Sequence, residues 1–172
     1  MWELGRSVVR KAELSQKAKI SVFNSIYIPT LTYGHETWVM TERIRSREQA
    51  AEMRFLRGVV GVSRLDRVRN TTIRENLQVE PLLLRIERSL LRWYGHAIRM
   101  PHRIAHQILS AQPSGRRPRV RPRTRWMDQI QSISCDRLGI PYRELESMAK
   151  DRETWKSMLN MLPPRPERTN AV

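Results

Sequence analysis

Apolar residues recur at helical spacing along most of the chain, and each such run predicts a helix. The clearest run covers residues 81–99, and Pro81 suits the first turn of that helix. Its apolar face and flank comprise Leu83, Leu84, Ile86, Leu90, Leu91, Tyr94, Ala97 and Ile98. Weaker runs predict helices over 14–28, 42–60, 72–77, 103–110 and 126–139, and two more that open at Pro141 and Asp151. The pattern therefore predicts an all-α protein.

Residues with capping preferences mark the ends of several predicted helices. Thr41 and Gly61 suit the beginning and the end of the second helix. Thr72 and Glu75 have the spacing of a capping box, which predicts that the third helix opens there. Pro29 is predicted to end the first helix, because proline lacks the N–H group that helical hydrogen bonding requires.

The helix predicted over 81–99 also carries a basic stripe. Glu87 projects toward the apolar side, and Gly95 costs about 1 kcal/mol relative to Ala within a helix. The stripe on the other side consists of Arg85, Arg88, Arg92, His96 and Arg99. These residues are interpreted as contacts for nucleic-acid phosphates. The alternative is the ordinary polar side of a surface helix.

A second basic feature is the stretch 115–126, GRRPRVRPRTRW. Pro118 and Pro122 exclude a helix interior, so an extended or polyproline II backbone is predicted. The guanidinium groups have no acidic partner within the segment, so they face water or a polyanion. The predicted phosphate contacts are Arg116, Arg117, Arg119, Arg121, Arg123 and Arg125, with Trp126 beside them. The alternative for this arm is a solvated linker or a nuclear-import signal.

The arm differs from the Arg-Gly-Arg-Pro core of a minor-groove hook. The equivalent residues at 119–122 are RVRP, with Val120 in place of the glycine. Glycine lets the backbone lie on the floor of the groove, whereas the valine side chain would hold it off. Phosphate contact that tolerates many base sequences is therefore predicted.

Helices and arm together predict four parts. They are a helical lobe at 1–110, the basic Arg/Pro arm at 111–125, a smaller helical lobe at 126–162 and a disordered tail at 163–172. The hydrophobic residues (40%) and five Trp suffice for a core.

The charge of the chain indicates which kind of partner it binds. A net charge of +15 makes nucleic acid the expected partner. Of the 32 basic residues 27 are Arg, whose planar fork matches phosphate oxygens and stacks on bases. The window 88–127 holds ten Arg and no Asp or Glu. An acidic membrane surface is the second candidate for such a charge, and nucleic acid is favoured over it. No apolar run approaches the ~20 residues needed to span a bilayer, and no membrane is predicted as a partner.

Catalytic and metal-binding signals are weak. None of the four Asp residues is adjacent to another, so the aspartate pair that holds Mg²⁺ in polymerases is missing from this sequence. His102 and His106 have the spacing of a metal pair, but His96 and Cys135 are the only obvious further ligands. No catalytic residue, metal site or cofactor is predicted.

The single cysteine and the lack of a secretory signal favour an intracellular location, and the basic arm favours the nucleus.

Several segments resemble the non-LTR (LINE-type) retrotransposon reverse transcriptases. They are VFNSIYIPTLTYGHETW (22–38), EMRFLRGVVGV (52–62), DRVRN (66–70), LRWYGHAIRM (91–100) and GRRPRVRPRTRWMDQI (115–130). Their order is similar to the region C-terminal to the polymerase palm, which implies that the first lobe is thumb-like. The resemblance also implies a whole enzyme that copies RNA into DNA at a nicked target with Mg²⁺. Its palm is expected upstream of Met1, so Mg²⁺ belongs to that enzyme alone.

The sequence thus favours a non-catalytic, nucleic-acid-binding fragment of a LINE-type reverse transcriptase. The stripe and the arm would contact phosphates of the template–primer or of the target DNA, and the residues suit RNA and DNA equally. One alternative is a helical protein–protein adaptor whose arm directs nuclear import. The other is a retrotransposon remnant without function.

Overall fold

The computed structural model describes residues 7–111, 115 and 124–163. Within those ranges the regular structure is helical throughout and contains no strand. This confirms the all-α prediction. None of the described helices is long and apolar enough to cross a bilayer. Most of the predicted arm and nearly all of the predicted tail fall outside the described residues.

The described residues form two compact units, the first made of 7–34 and 41–85. Its elements in chain order are α1 (Gln16–Val22), a π-helical turn (Phe23–Tyr27), α2 (Ile28–Leu31), α3 (Glu42–Val60), α4 (Asn70–Leu77) and the first turn of α5 (Leu82–Ile98). The lobe boundaries predicted from the sequence stay a prediction.

The second unit holds residues 35–40 and the described residues between 86 and 163. It contains the rest of α5 and the elements that follow. These are a 3₁₀ turn (His35–Thr37), α6 (Ile104–Ser110), α7 (Trp126–Ile133), a π-helical turn (Ser134–Leu138), α8 (Tyr142–Lys150) and α9 (Arg152–Asn160).

Three aromatic rings form the centre of the first unit's core. The ring centroid of Phe55 in α3 lies 5.0 Å from that of Phe23 and 4.7 Å from that of Tyr27. All three side chains are buried. The Tyr27 hydroxyl also donates a hydrogen bond to the Ala51 carbonyl at 3.1 Å. The π-helical turn is therefore held against α3 by ring packing and by one hydrogen bond.

The prediction that Pro29 ends the first helix is wrong, because Pro29 lies in the first turn of α2. In a regular α-helix its ring would clash with the carbonyl four residues earlier. The preceding π-helical turn widens the backbone, and the Ile28 N–H donates to the Phe23 carbonyl five residues back. This extra residue changes the helical register, and Ile26 is left 47% exposed.

A buried carboxylate joins three elements of the first unit. Glu52 of α3 is fully buried, and its two oxygens accept hydrogen bonds from Arg74 of α4 at 3.2 Å and 2.9 Å. It also accepts from the Leu82 N–H, at the start of α5, at 3.1 Å. Removing one partner from a buried ion pair costs about 3–5 kcal/mol. Glu52 therefore fixes α4 and the beginning of α5 against α3.

The predicted caps of α3 are confirmed. The Thr41 hydroxyl accepts a hydrogen bond from the Ile44 N–H at 3.4 Å. Gly61 has a φ of +80°, a conformation that glycine adopts without steric cost. The end of α4 at Leu77 is also as predicted.

The predicted start of α4 at a Thr72–Glu75 capping box is wrong, because the helix begins at Asn70. The reason lies in α3, whose Arg57 reaches the loop before α4. Its guanidinium group donates to the Val68 carbonyl at 2.7 Å and to Asn70 Oδ1 at 3.0 Å. These bonds hold the chain so that it turns into the helix two residues earlier.

The apolar face of α5 is confirmed for every residue that defined it except Leu83, which is half-buried. The second unit's core combines the part of this face from Ile86 onward with residues of α7, α8 and α9. The buried residues from those three helices are Ile130, Ile133, Leu145, Ala149, Trp155 and Leu159.

The structure explains both departures from the α5 pattern. Glu87 is buried because Arg137, in the second π-helical turn, places its Nε atom 3.3 Å from Glu87 Oε2. Gly95 faces Trp155 so closely that a Cβ atom there would lie 2.4 Å from the indole nitrogen. Glycine at this position therefore leaves room for the Trp155 ring between α5 and α9.

Candidate nucleic-acid interface

The predicted basic stripe of α5 divides into residues with different environments. Arg85 belongs to the first unit, where its Nη2 atom donates to Asn24 Oδ1 at 2.9 Å and its Nε lies 3.5 Å from a carboxylate oxygen of Glu80. Arg88 is half-buried in the second unit, and its Nε donates to the Leu159 carbonyl at 3.0 Å. Both side chains have partners that stabilise the fold.

The other three stripe residues lie together in one cleft of about 760 Å³ within the second unit. Arg92, His96 and Arg99 line it from α5. From α9 it receives Arg152 and Lys156, which were not among the residues predicted from the sequence. These two are four residues apart, so they lie on the same side of α9. The spacing of Arg152 and Lys156 could be read from the sequence, but the packing of α9 against α5 could not.

The electrostatics of the cleft are strongly positive. Among the described residues, four cationic side chains line it with a single carboxylate, that of Glu36. Arg92, Arg152 and Lys156 are exposed, and the structure shows no hydrogen bond or ion pair between them and any other described residue. Exposed cations without partners retain their full capacity to bind an anion. Since Coulomb repulsion opposes clustering of like charges, an anion in the cleft would relieve it.

Buried and hydrogen-bonded side chains form the floor of the cleft. Trp155 and Leu159 of α9 line it and are buried, and the indole N–H of Trp155 donates to the Leu91 carbonyl at 3.0 Å. One nitrogen of Arg99 donates to the Ala149 carbonyl at 2.6 Å. A guanidinium group has five N–H donors, so this bond positions Arg99 and leaves other donors for a ligand.

An aromatic side chain forms part of the cleft wall. Trp93 is half-buried, and its ring centroid lies 5.6 Å from that of His96, with 36° between the ring planes. The two residues are three apart on α5, which brings their side chains together. The cleft therefore combines cations with an accessible aromatic surface.

The N-terminal end of α9 is held by Asp151, as predicted. Its Oδ1 accepts a hydrogen bond from the Glu153 N–H at 3.1 Å, and its other oxygen accepts one from the Thr154 hydroxyl. The Thr154 hydrogen bond, followed by that from the Glu153 N–H, lowers the pKa of Asp151. This cap stabilises the first turn of the helix that carries Arg152 and Lys156.

Two other predicted residues lie at the start of α7. Trp126 is half-buried, and its indole N–H donates to the Glu36 carbonyl at 2.9 Å. Its ring centroid is 6.5 Å from that of Tyr94. The indole N–H of Trp126 is therefore already used in a hydrogen bond within the second unit. Arg125 is exposed, and its backbone N–H donates to Asp128 Oδ2 at 3.0 Å. The remaining predicted arm residues, Arg116, Arg117, Arg119, Arg121 and Arg123, lie outside the described residues.

The chain is similar in sequence to a known protein. The chain is 25% identical over 153 residues to the uncharacterized transposon-derived protein F52C9.6 of Caenorhabditis elegans. The chain is similar to a transposon-derived protein. The alignment covers 84% of this chain, which spans about half, 54%, of that relative's length. No family model matches the chain. No solved structure matches it either.

Proposed function

We propose that this chain is a non-catalytic helical module of retrotransposon origin that binds nucleic acid through its phosphates. The observation that carries the proposal is the cleft between α5 and α9. It presents Arg92, Arg152 and Lys156 without partners among the described residues. The similarity to a transposon-derived protein supports the origin.

Phosphate is the anion that best fits these residues. Three of the four cations of the cleft are Arg, whose guanidinium fork binds two phosphate oxygens at once. Neutralising several phosphates also releases condensed counterions, which provides most of the binding free energy at low salt. The high net charge of the chain extends this attraction beyond the cleft.

The direct test measures the affinity for a fluorescently labelled 20-nucleotide single strand by anisotropy. The double variant Arg92→Ala/Lys156→Ala removes one Arg and one Lys from the cleft. The control Arg43→Ala/Lys17→Ala removes the same charges from exposed positions on α3 and α1.

We expect the cleft variant to bind about tenfold more weakly, because exposed charge contacts contribute up to about 1 kcal/mol each and tenfold corresponds to about 1.4 kcal/mol. The control variant should lose less than about twofold. Equal losses in the two variants would show that only net charge matters. No binding by the unmodified chain would leave the adaptor or the remnant as the better interpretation.

The arm is proposed as a second phosphate contact, and it is tested separately. Replacing its six Arg (116, 117, 119, 121, 123 and 125) by Ala should lower the salt dependence of duplex binding by about 3–5 units of slope, at about 0.9 per phosphate contact. An unchanged slope would make the arm a linker. If a fluorescent fusion of that variant leaves the nucleus, the arm also directs import.

The finer assignment, to the thumb and post-palm region of a LINE-type reverse transcriptase, is part of the same proposal. It is supported by the transposon-derived relative and by the segments that resemble that family. The genomic reading frame upstream of the chain tests it. A frame that encodes a polymerase palm with adjacent aspartates is expected, and an upstream frame of another kind would contradict the assignment.

A further inference from the structure

The cleft contains features that a simple track for phosphates does not require. Trp93 exposes part of its ring beside His96, and the apolar groups of Trp155 and Leu159 lie at the floor. The volume of about 760 Å³ is in the range of pockets that enclose a small organic ligand. A surface that only follows the backbone of a duplex needs neither an aromatic wall nor a cleft of this volume.

We propose that the cleft takes one unpaired nucleotide of a single-stranded nucleic acid. Its base stacks on Trp93, and its phosphates are bound by Arg92 and Lys156 at the rim. This inference rests on the proposed nucleic-acid binding and names the form of the ligand.

The single-stranded form follows from the position of the aromatic group. Within a duplex each base is stacked between its neighbours, so its flat face is not available to a protein side chain. An unpaired base exposes that face, and stacking on an aromatic side chain is favourable for every base. Cations from both α5 and α9 line the same cleft as this ring, so they are available to the phosphates that flank an inserted base.

Glu36 adds a different kind of contact to the cleft. It is the single carboxylate among the lining residues, and it is half-buried. A carboxylate repels phosphate but accepts hydrogen bonds from the amino group of a base or the hydroxyl of a sugar. The phosphates are therefore directed toward Arg92 and Lys156, and the base or sugar toward Glu36.

The test compares three labelled ligands of 12 nucleotides by anisotropy. They are a single strand, the same strand with abasic sites at its central six positions, and a blunt duplex. The abasic strand keeps every phosphate and lacks the stacking surface. The unmodified chain should bind the normal strand roughly tenfold more tightly than the abasic strand, from the stacking of one base.

Variants of Trp93 assign this difference to the cleft. Trp93→Leu should abolish the preference for the normal strand, whereas Trp93→Phe should keep most of it. The control is Trp38→Leu, a substitution of an exposed tryptophan that does not line the cleft. Circular dichroism at 222 nm checks that each variant is folded. If Trp93→Leu does not fold, the phenylalanine variant and the abasic comparison decide.

The outcomes separate this inference from the proposed function. Equal, salt-dependent binding of the normal and abasic strands would overturn the nucleotide cleft and leave phosphate binding intact. A preference that survives Trp93→Leu would also overturn it. If no ligand binds at low salt, both proposals fail.

Discussion

Replacing Gly95 with alanine is the sharpest test of the packing that shapes the cleft. From helix propensity alone the substitution should stabilise α5 by about 1 kcal/mol. The structure predicts the opposite result. A Cβ atom at this position would lie 2.4 Å from Nε1 and 2.6 Å from Cδ1 of Trp155, and 2.9 Å from Nη1 of Arg99.

The magnitude follows from what must move. Trp155 is buried, and its indole N–H donates a hydrogen bond to the Leu91 carbonyl, so its ring has little freedom to shift. Overpacking a core costs about 1–3 kcal/mol, and losing the indole hydrogen bond costs about 0.5–1.5 kcal/mol more. After the gain in helix propensity is subtracted, Gly95→Ala should lower the free energy of unfolding by about 0.5–3.5 kcal/mol.

Urea unfolding followed by circular dichroism measures this change. Gly58→Ala, also within a helix, is a second test of the same kind, because a Cβ atom there would lie 2.6 Å from a methyl carbon of Val9, and it too should stabilise less than helix propensity alone predicts. A double-mutant cycle with Trp155→Phe should show that the cost of Gly95→Ala falls when the indole nitrogen is absent. Stabilisation by Gly95→Ala would refute the packing of Trp155 against α5.

Three further substitutions test other parts of the structure. Glu52→Ala should lower the free energy of unfolding by about 3–5 kcal/mol, because it removes the buried carboxylate that the Arg74 guanidinium group pairs with; a loss below about 1 kcal/mol in urea unfolding would contradict the buried pair. Glu87→Ala should cost about 3 kcal/mol because it removes the carboxylate beside the largely buried Arg137 side chain, whereas replacing Glu87 and Arg137 together by leucine should be nearly neutral. Asp151 has a pKa below its ordinary value of 3.8, so its contribution to stability is present above that value and is lost as the pH falls through the lower, folded value. The melting temperature of Asp151→Asn should therefore fall less than that of the unmodified chain between about pH 5 and pH 2, and equal falls would refute the role of the charge.

The predictions from the sequence were most accurate for features that depend mainly on the residues of a single helix. The apolar face of α5 is long and periodic, so the helix and its buried residues followed from spacing alone. The caps at Thr41, Gly61 and Asp151 followed from local preferences that need no tertiary partner. The prediction that Pro29 ends the first helix was wrong because a π-helical turn precedes it, and this wider turn accommodates the proline.

The candidate site could be predicted only in part. A helical wheel groups the five basic residues of α5, but it does not show that Arg85 lies near Glu80 or that Arg88 bonds to Leu159. Arg152 and Lys156 join the cleft through the packing of α9 on α5, which is a tertiary contact. Gly95 was the one local sign of that contact, since a glycine within a helix indicates close approach of another group.

The salt dependence of single-strand binding tests the central claim most directly. The triple variant Arg92→Ala/Arg152→Ala/Lys156→Ala is compared with the control Arg43→Ala/Arg47→Ala/Lys17→Ala, which removes the same charges from outside the cleft. Each phosphate contact on a single strand contributes about 0.7 to the slope of log K against log salt, so the cleft variant should lose about 2 units and the control close to none. A cleft variant that keeps the full slope would contradict the claim that phosphates bind in this cleft.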